Sequence, residues 1–241
     1  MLDAIARHSN GFVEAAEGHL DARVEHCPQW TVADLVWHLT SVHWFWATIV
    51  EERLDAPADE SRRPARPDDD GLLDAFGNGA RHLVDVLAAA SPSTHVWTWA
   101  PSQQDVAFVT RHQVQEAAVH HWDARHASGG ELAIEPPVAA DAVDEFLTFS
   151  VSSDADPADP PRPALDGGFV LRCSDVAATW TLTDGDAPGT VTSTTGATAG
   201  LPELTASASD LLLWLYGRVA LDPGAVPAEL LERFRALTFT D

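Results

Sequence analysis

No lysine occurs anywhere in the 241 residues, and every positive side chain apart from histidine is an arginine. That absence removes whole classes of chemistry: a Walker lysine on a nucleotide, a Schiff-base amine, an attachment point for pyridoxal phosphate. Positive charge is scarce altogether. The formal net charge is -23, which argues against nucleic acid and anionic membrane surfaces as partners, since little here can displace their counterions. Cysteine is nearly missing too: Cys27 and Cys173 stand far apart, in neither a C-x-x-C nor a ligand pattern. A reducing cytoplasm is the simplest setting, although two cysteines can in principle pair. No apolar run approaches the roughly 20 residues of a membrane span. The opening Met-Leu-Asp-Ala-Ile-Ala-Arg-His lacks the basic-then-apolar layout of a secretion signal. The expectation is a soluble, cytoplasmic protein. Arginine in place of lysine, with abundant Ala and Asp, fits a GC-rich bacterial genome, and an acidic halophile surface has the same composition.

What is present suits a proper core: 45% hydrophobic residues and nine tryptophans, in a length that serves one large domain or two small ones. Leu2 to about Leu20 carries Ile5, Phe12, Val13 and Ala16 at helical spacing. Thr31-Val-Ala-Asp34 has the layout of a capping box with Asp in place of Glu, and opens an apolar helix to about Leu54. Its stripe of Leu35, His38, Val42 and Phe45 is expected to face the interior. A solvated loop, Ala56 to Asp70, precedes a third helix from about Gly71 to Ala90. His95-Val-Trp-Thr-Trp-Ala-Pro101 then leads to Ser102–Ser128, which has no Gly or Pro and is closed by Gly129-Gly130, a helix with a glycine stop. Four helices of these lengths predict a four-helix bundle. Another helix is expected from Pro137 to Val151.

Beyond it the texture changes. Ser152–Gly168 is rich in Pro and Asp and reads as the domain boundary, giving a helical domain at 1–152, a linker at 153–164 and a second domain at 165–241. Period-two segments follow at Phe169–Cys173, Ala178–Leu182 and Thr190–Thr192, then a buried helix ending at Gly217 and a last one over about Ala228–Ala236. The fold class is therefore α plus α+β: a bundle with a smaller α+β domain behind it.

The chemistry concentrates in Arg111–Asp123. Glu116 and His120 are four apart, so they project from one face of their helix, with His112 one turn back. A carboxylate and an imidazole so placed supply two ligands of an open N/O divalent-metal site, yet the same pair also occurs on ordinary solvated helices. His38, an imidazole on an otherwise apolar stripe, is the natural third donor, although a lone histidine there is more often a hydrogen-bonded core residue. Bundles build metal sites from inward side chains on facing helices. Asp123 is read either as an orienter of a ligand imidazole or as an exposed helix-end charge. Cys27 reads as structural, without an activating base. His43, His121 and His126 read as surface or packing residues. Trp30, Trp97 and Trp99 read as pocket-lining or as core anchors.

Cys27-Pro-Gln-Trp-Thr, His38-Leu-Thr, Glu116-Ala-Ala-Val-His120-His-Trp-Asp-Ala and Leu211-Leu-Leu-Trp-Leu-Tyr-Gly-Arg218 together resemble the mycothiol-dependent maleylpyruvate isomerase family. The resemblance spans nearly the whole chain and implies a DinB-like metal-binding bundle followed by the family's small α+β domain. It implies His38, Glu116 and His120 as ligands of a divalent metal, usually zinc, and Arg218 as the holder of a substrate carboxylate. Mycothiol is implied as thiol cosubstrate, acting on a small electrophile by cis–trans isomerisation or by S-transfer. A non-catalytic protein that binds metal or a small ligand is the alternative of another class. Gln115 and His112 depart from the family pattern, which has His and Arg at those positions in many members. A monomer or homodimer is expected.

Overall fold

Thr31 begins the second helix as its spacing predicts. Its hydroxyl accepts from the Asp34 N–H, and the Asp34 carboxylate accepts in return from the Thr31 N–H at 3.0 Å, closing the capping box. The computed structural model in which this is seen describes residues 1–152 and 162–239. Contacts within the chain group it into two units, Met1–Ala133 and Ile134–Asp241.

The first unit holds α1 (Leu2–Ala16), α2 (Val32–Glu52), α3 (Asp69–Ala89) and α4 (Val106–Ala127). Helix α1 stops before the expected Leu20, because the chain turns at Gly18 in a left-handed conformation. Helix α1 packs on α3 and α4, and α2 packs on the same two. Phe12, Leu35, Leu39, Leu72 and Phe76 are fully buried together in their shared core. The start of α4 is capped by Asp105, whose carboxylate accepts from the Phe108 N–H. Its end is closed by Gly129, at φ +79, and by the Gly130 N–H donating back to Arg125 O. The connection before α4 is pinned by the Gln104 side chain, which bonds both the N–H and the carbonyl of Thr98.

Helix α5 (Pro136–Phe149) belongs to the second unit. Its apolar face packs on α6 (Ala208–Leu215), and the Ile134 N–H donates to the Ser209 hydroxyl. The division therefore falls ahead of α5, whereas the sequence expectation put it in the Pro/Asp-rich stretch after residue 152. Of the linker expected there, 153–161 lie outside the described residues.

The second unit's sheet has the order β3-β2-β1-β4, from β1 (Gly168–Cys173), β2 (Thr179–Asp184), β3 (Val191–Thr195) and β4 (Glu203–Ala206). The first three strands are antiparallel neighbours and coincide with the period-two segments. Strand β4 pairs parallel to β1, with Leu171 opposite Leu204. It was not expected, because four residues are too few to display alternation. Phe169 of β1 meets Phe234 of α7 (Ala228–Arg235) edge-on, and Phe234 stacks on Trp214 of α6. Among the described residues no helix is long and apolar enough to cross a membrane.

Candidate metal centre

Helix α4 buries polar side chains out of proportion to its place in a core: His112, Gln113, Gln115, His120 and Asp123 are all buried. Buried polar groups are costly unless something engages them, so this helix carries more than packing. Its spacing aims Glu116 and His120 to one side, where α2 presents His38. One ligand atom from each of the three lies within 4.8 Å of the other two. His120 Nε2 stands 3.6 Å from Glu116 Oε2. A tetrahedral ion with bonds of about 2.1 Å separates its ligand atoms by about 3.4 Å, so that pair is already near the required spacing.

Two further observations fit a cation. Glu116 Oε2 is buried and has no hydrogen-bond donor among the described residues, a costly state for a carboxylate oxygen that a metal would relieve. His120 is also oriented from behind: its Nδ1 lies 3.0 Å from Asp123 Oδ2, and the Asp123 carboxyl group is wholly buried. The carboxylate holds the imidazole with Nδ1 protonated and Nε2 free to face Glu116. Of the two readings of Asp123, the exposed helix-end charge is therefore set aside.

His38 does not sit in a closed interior as its stripe suggested. It is half-buried, as are Val42 and Phe45. Its ring stands edge-on to that of His120 at 5.1 Å, with Trp30 against it at 4.8 Å. Trp30 is thus a neighbour of the site. His112 is held in an aromatic box by Phe108, Trp46 and Trp99, and its Nε2 is 4.0 Å from Glu116 Oε1. Trp97 packs on Trp46 and Phe45. His43 is fully buried on the ring of Phe76 and neither ring nitrogen has a hydrogen-bond partner among the described residues. Burial, with the nearby His120 and His38 imidazoles, pushes its pKa down to about 3, so it stays neutral.

Arg218 lies in the second unit, past the end of α6, where its Nη1 donates to Tyr216 O and its guanidinium stands 5.7 Å from the Tyr216 ring. Among the described residues, neither Cys27 nor Cys173 is in a disulfide. Burial and the Asp175 charge push the Cys173 thiol up to about 11, so it carries no nucleophile. A second cluster, Glu25, His26 and His126, also gathers three ligand atoms within 4.8 Å of one another. Nothing in the sequence singled it out, since two of its members are loop neighbours and the third lies on a distant helix.

A family profile described as the mycothiol maleylpyruvate isomerase N-terminal domain matches residues 2–125, just over half of the chain and all the helices that bear the first cluster except the last residues of α4. No curated protein and no solved structure matches.

Proposed function

The chain belongs to the mycothiol maleylpyruvate isomerase N-terminal domain family, and from that membership we propose a metal-dependent enzyme that uses a low-molecular-weight thiol, mycothiol, on a small electrophile. The observation that carries the reading is the convergence of His38, Glu116 and His120, with Glu116 Oε2 buried and without a hydrogen-bond donor among the described residues. These three side chains would hold the ion, with zinc favoured by a His/Glu/His donor set. Bound there, a divalent ion acidifies a thiol, so that thiolate is available near neutral pH.

The chain's own contributions follow from the geometry. Asp123 keeps His120 in one tautomer and one orientation. Glu116 brings a negative charge that offsets part of the ion's charge. Trp30 lies against the His38 ring at 4.8 Å, tilted by 43° to it. Arg218 is proposed to hold a substrate carboxylate, a task its planar fork of donors suits. The reaction proposed is reversible thiol addition to an activated carbon–carbon double bond, with rotation about the resulting single bond before the thiol departs. The DinB-like four-helix bundle belongs to the same proposal, supported by the mutual packing of α1 to α4.

Net charge favours a second reading. At -23 the molecule repels a dianion, over a Debye length of about 8 Å at physiological salt. A neutral electrophile meets no such barrier, and the same site would then transfer the thiol for good, as an S-transferase. Ultraviolet absorbance of maleylpyruvate, followed with and without mycothiol, separates these. Isomerisation depends on the thiol without consuming it, and transfer to a supplied electrophile consumes it stoichiometrically. A protein that binds metal and does neither is a binding protein, which overturns the enzymatic reading.

A further inference from the structure

We propose that Glu25, His26 and His126 form a second divalent-metal site, distinct from the His38/Glu116/His120 cluster and built for a first-row ion of the zinc class. Glu25 and His26 stand in the loop between α1 and α2, and His126 in the last turn of α4. Their ligand atoms lie within 4.8 Å of one another. His126 Nε2 and Glu25 Oε2 are 2.8 Å apart, within hydrogen-bond distance.

An exposed His–Glu pair by itself is an ordinary surface contact of little consequence. Four features lift this one above it. A third donor, His26, joins the pair, and two imidazoles with one carboxylate make the donor set of open zinc sites, while hard ions such as magnesium and calcium prefer oxygen. The ring of His126 is also held: it stacks on Trp122 at 4.7 Å with an interplanar angle of 8°, and Trp122 is buried. His26 lies against the same indole at 5.7 Å. The loop that offers Glu25 and His26 is itself closed, by Val24 N–H donating to Trp30 O and Trp30 N–H donating to Cys27 O. A site whose ligands are already oriented loses less entropy on binding. The end of a helix, where carbonyl dipoles point outward, favours a cation as well.

The position also links the two clusters. The loop that carries Glu25 and His26 ends at Trp30, which packs on His38. An ion at the second site would tie that loop to the end of α4 and hold Trp30 in place.

The test is zinc uptake by the full-length chain, stripped of metal, then dialysed against buffered Zn2+ and measured by elemental analysis. The wild type is expected to take up one equivalent more than His126→Ala or His26→Ala. Glu25→Gln is expected to weaken that equivalent at least tenfold. His120→Ala is expected to keep it, so failure of the first cluster to bind leaves this result readable. Glu25, His26 and His126 are at or near the surface, and circular dichroism checks that each of the four variants, His120→Ala included, folds. Equal uptake by the wild type, His126→Ala and His26→Ala would overturn the proposal.

Discussion

At the scale of single residues, the consequential side chain is Asp123, buried behind His120. Asp123→Asn keeps the shape but weakens the bond that fixes the imidazole, and outer partners of this kind are worth about 10–100-fold in metal affinity. Competition with a chromophoric chelator should show that loss, with His38→Ala and His120→Ala losing the ion from this site altogether; unchanged affinity in Asp123→Asn would make the carboxylate a packing group. His43 gives a prediction in pH. The unfolded chain protonates this imidazole near 6.5 and the folded one only at about 3. Above 6.5 the group has no effect. As pH falls from 6.5 towards 3 the unfolded state takes up a proton the folded state refuses, and stability drops. The loss is on the order of a few kcal/mol across that window, and His43→Leu should flatten the acid limb of a urea-unfolding series. Parallel limbs in the two proteins would contradict the assignment. Much of the first site was legible in the sequence, because a four-residue spacing on a helix dictates that Glu116 and His120 share a face. Asp123 was not, since the same interval that places it behind His120 also suits a solvated charge. Glu25, His26 and His126 fit no spacing rule, and only the tertiary fold brings them together.

At the scale of elements, the close approach of α1 to α4 depends on a missing side chain. A Cβ on Gly11 would stand 2.3 Å from His121 Cε1 and 2.6 Å from its Nε2. Alanine gains about 1 kcal/mol of helix propensity over glycine, while forcing an atom into a packed contact costs about 1–3 kcal/mol. The contact should win, because His121 is engaged with His8 at 3.2 Å and does not swing aside freely. Gly11→Ala is therefore expected to lower the thermal midpoint, and the same change in a His121→Ala background to raise it. A stabilising Gly11→Ala in the native background would mean that the imidazole moves at little cost. Elements with strong local signals were read from the sequence: α2 from its capping box, α4 from its glycine stop, β1 to β3 from alternation. The allegiance of α5 was not readable. An amphipathic helix announces that it has an apolar face without saying which core that face meets, and here it meets α6.

For the whole molecule, the governing quantity is a net charge of -23. Self-repulsion at that level weakens the compact state and is screened by salt. Raising sodium chloride from about 10 mM to about 300 mM, where the Debye length shortens several-fold, should raise the thermal midpoint by calorimetry. A fall instead would show that exposed pairs such as Arg172–Glu203 and Arg66–Asp34 outweigh the general repulsion. The placement of the first cluster has a consequence in time. Helix α2 leaves the ribosome with His38 as its one member of the cluster, and the Glu116/His120 pair emerges only after α3. On the proposed reading, ion capture at this cluster would therefore wait until α4 has docked, so that the finished cradle, and not whichever ion the nascent polypeptide meets first, does the choosing.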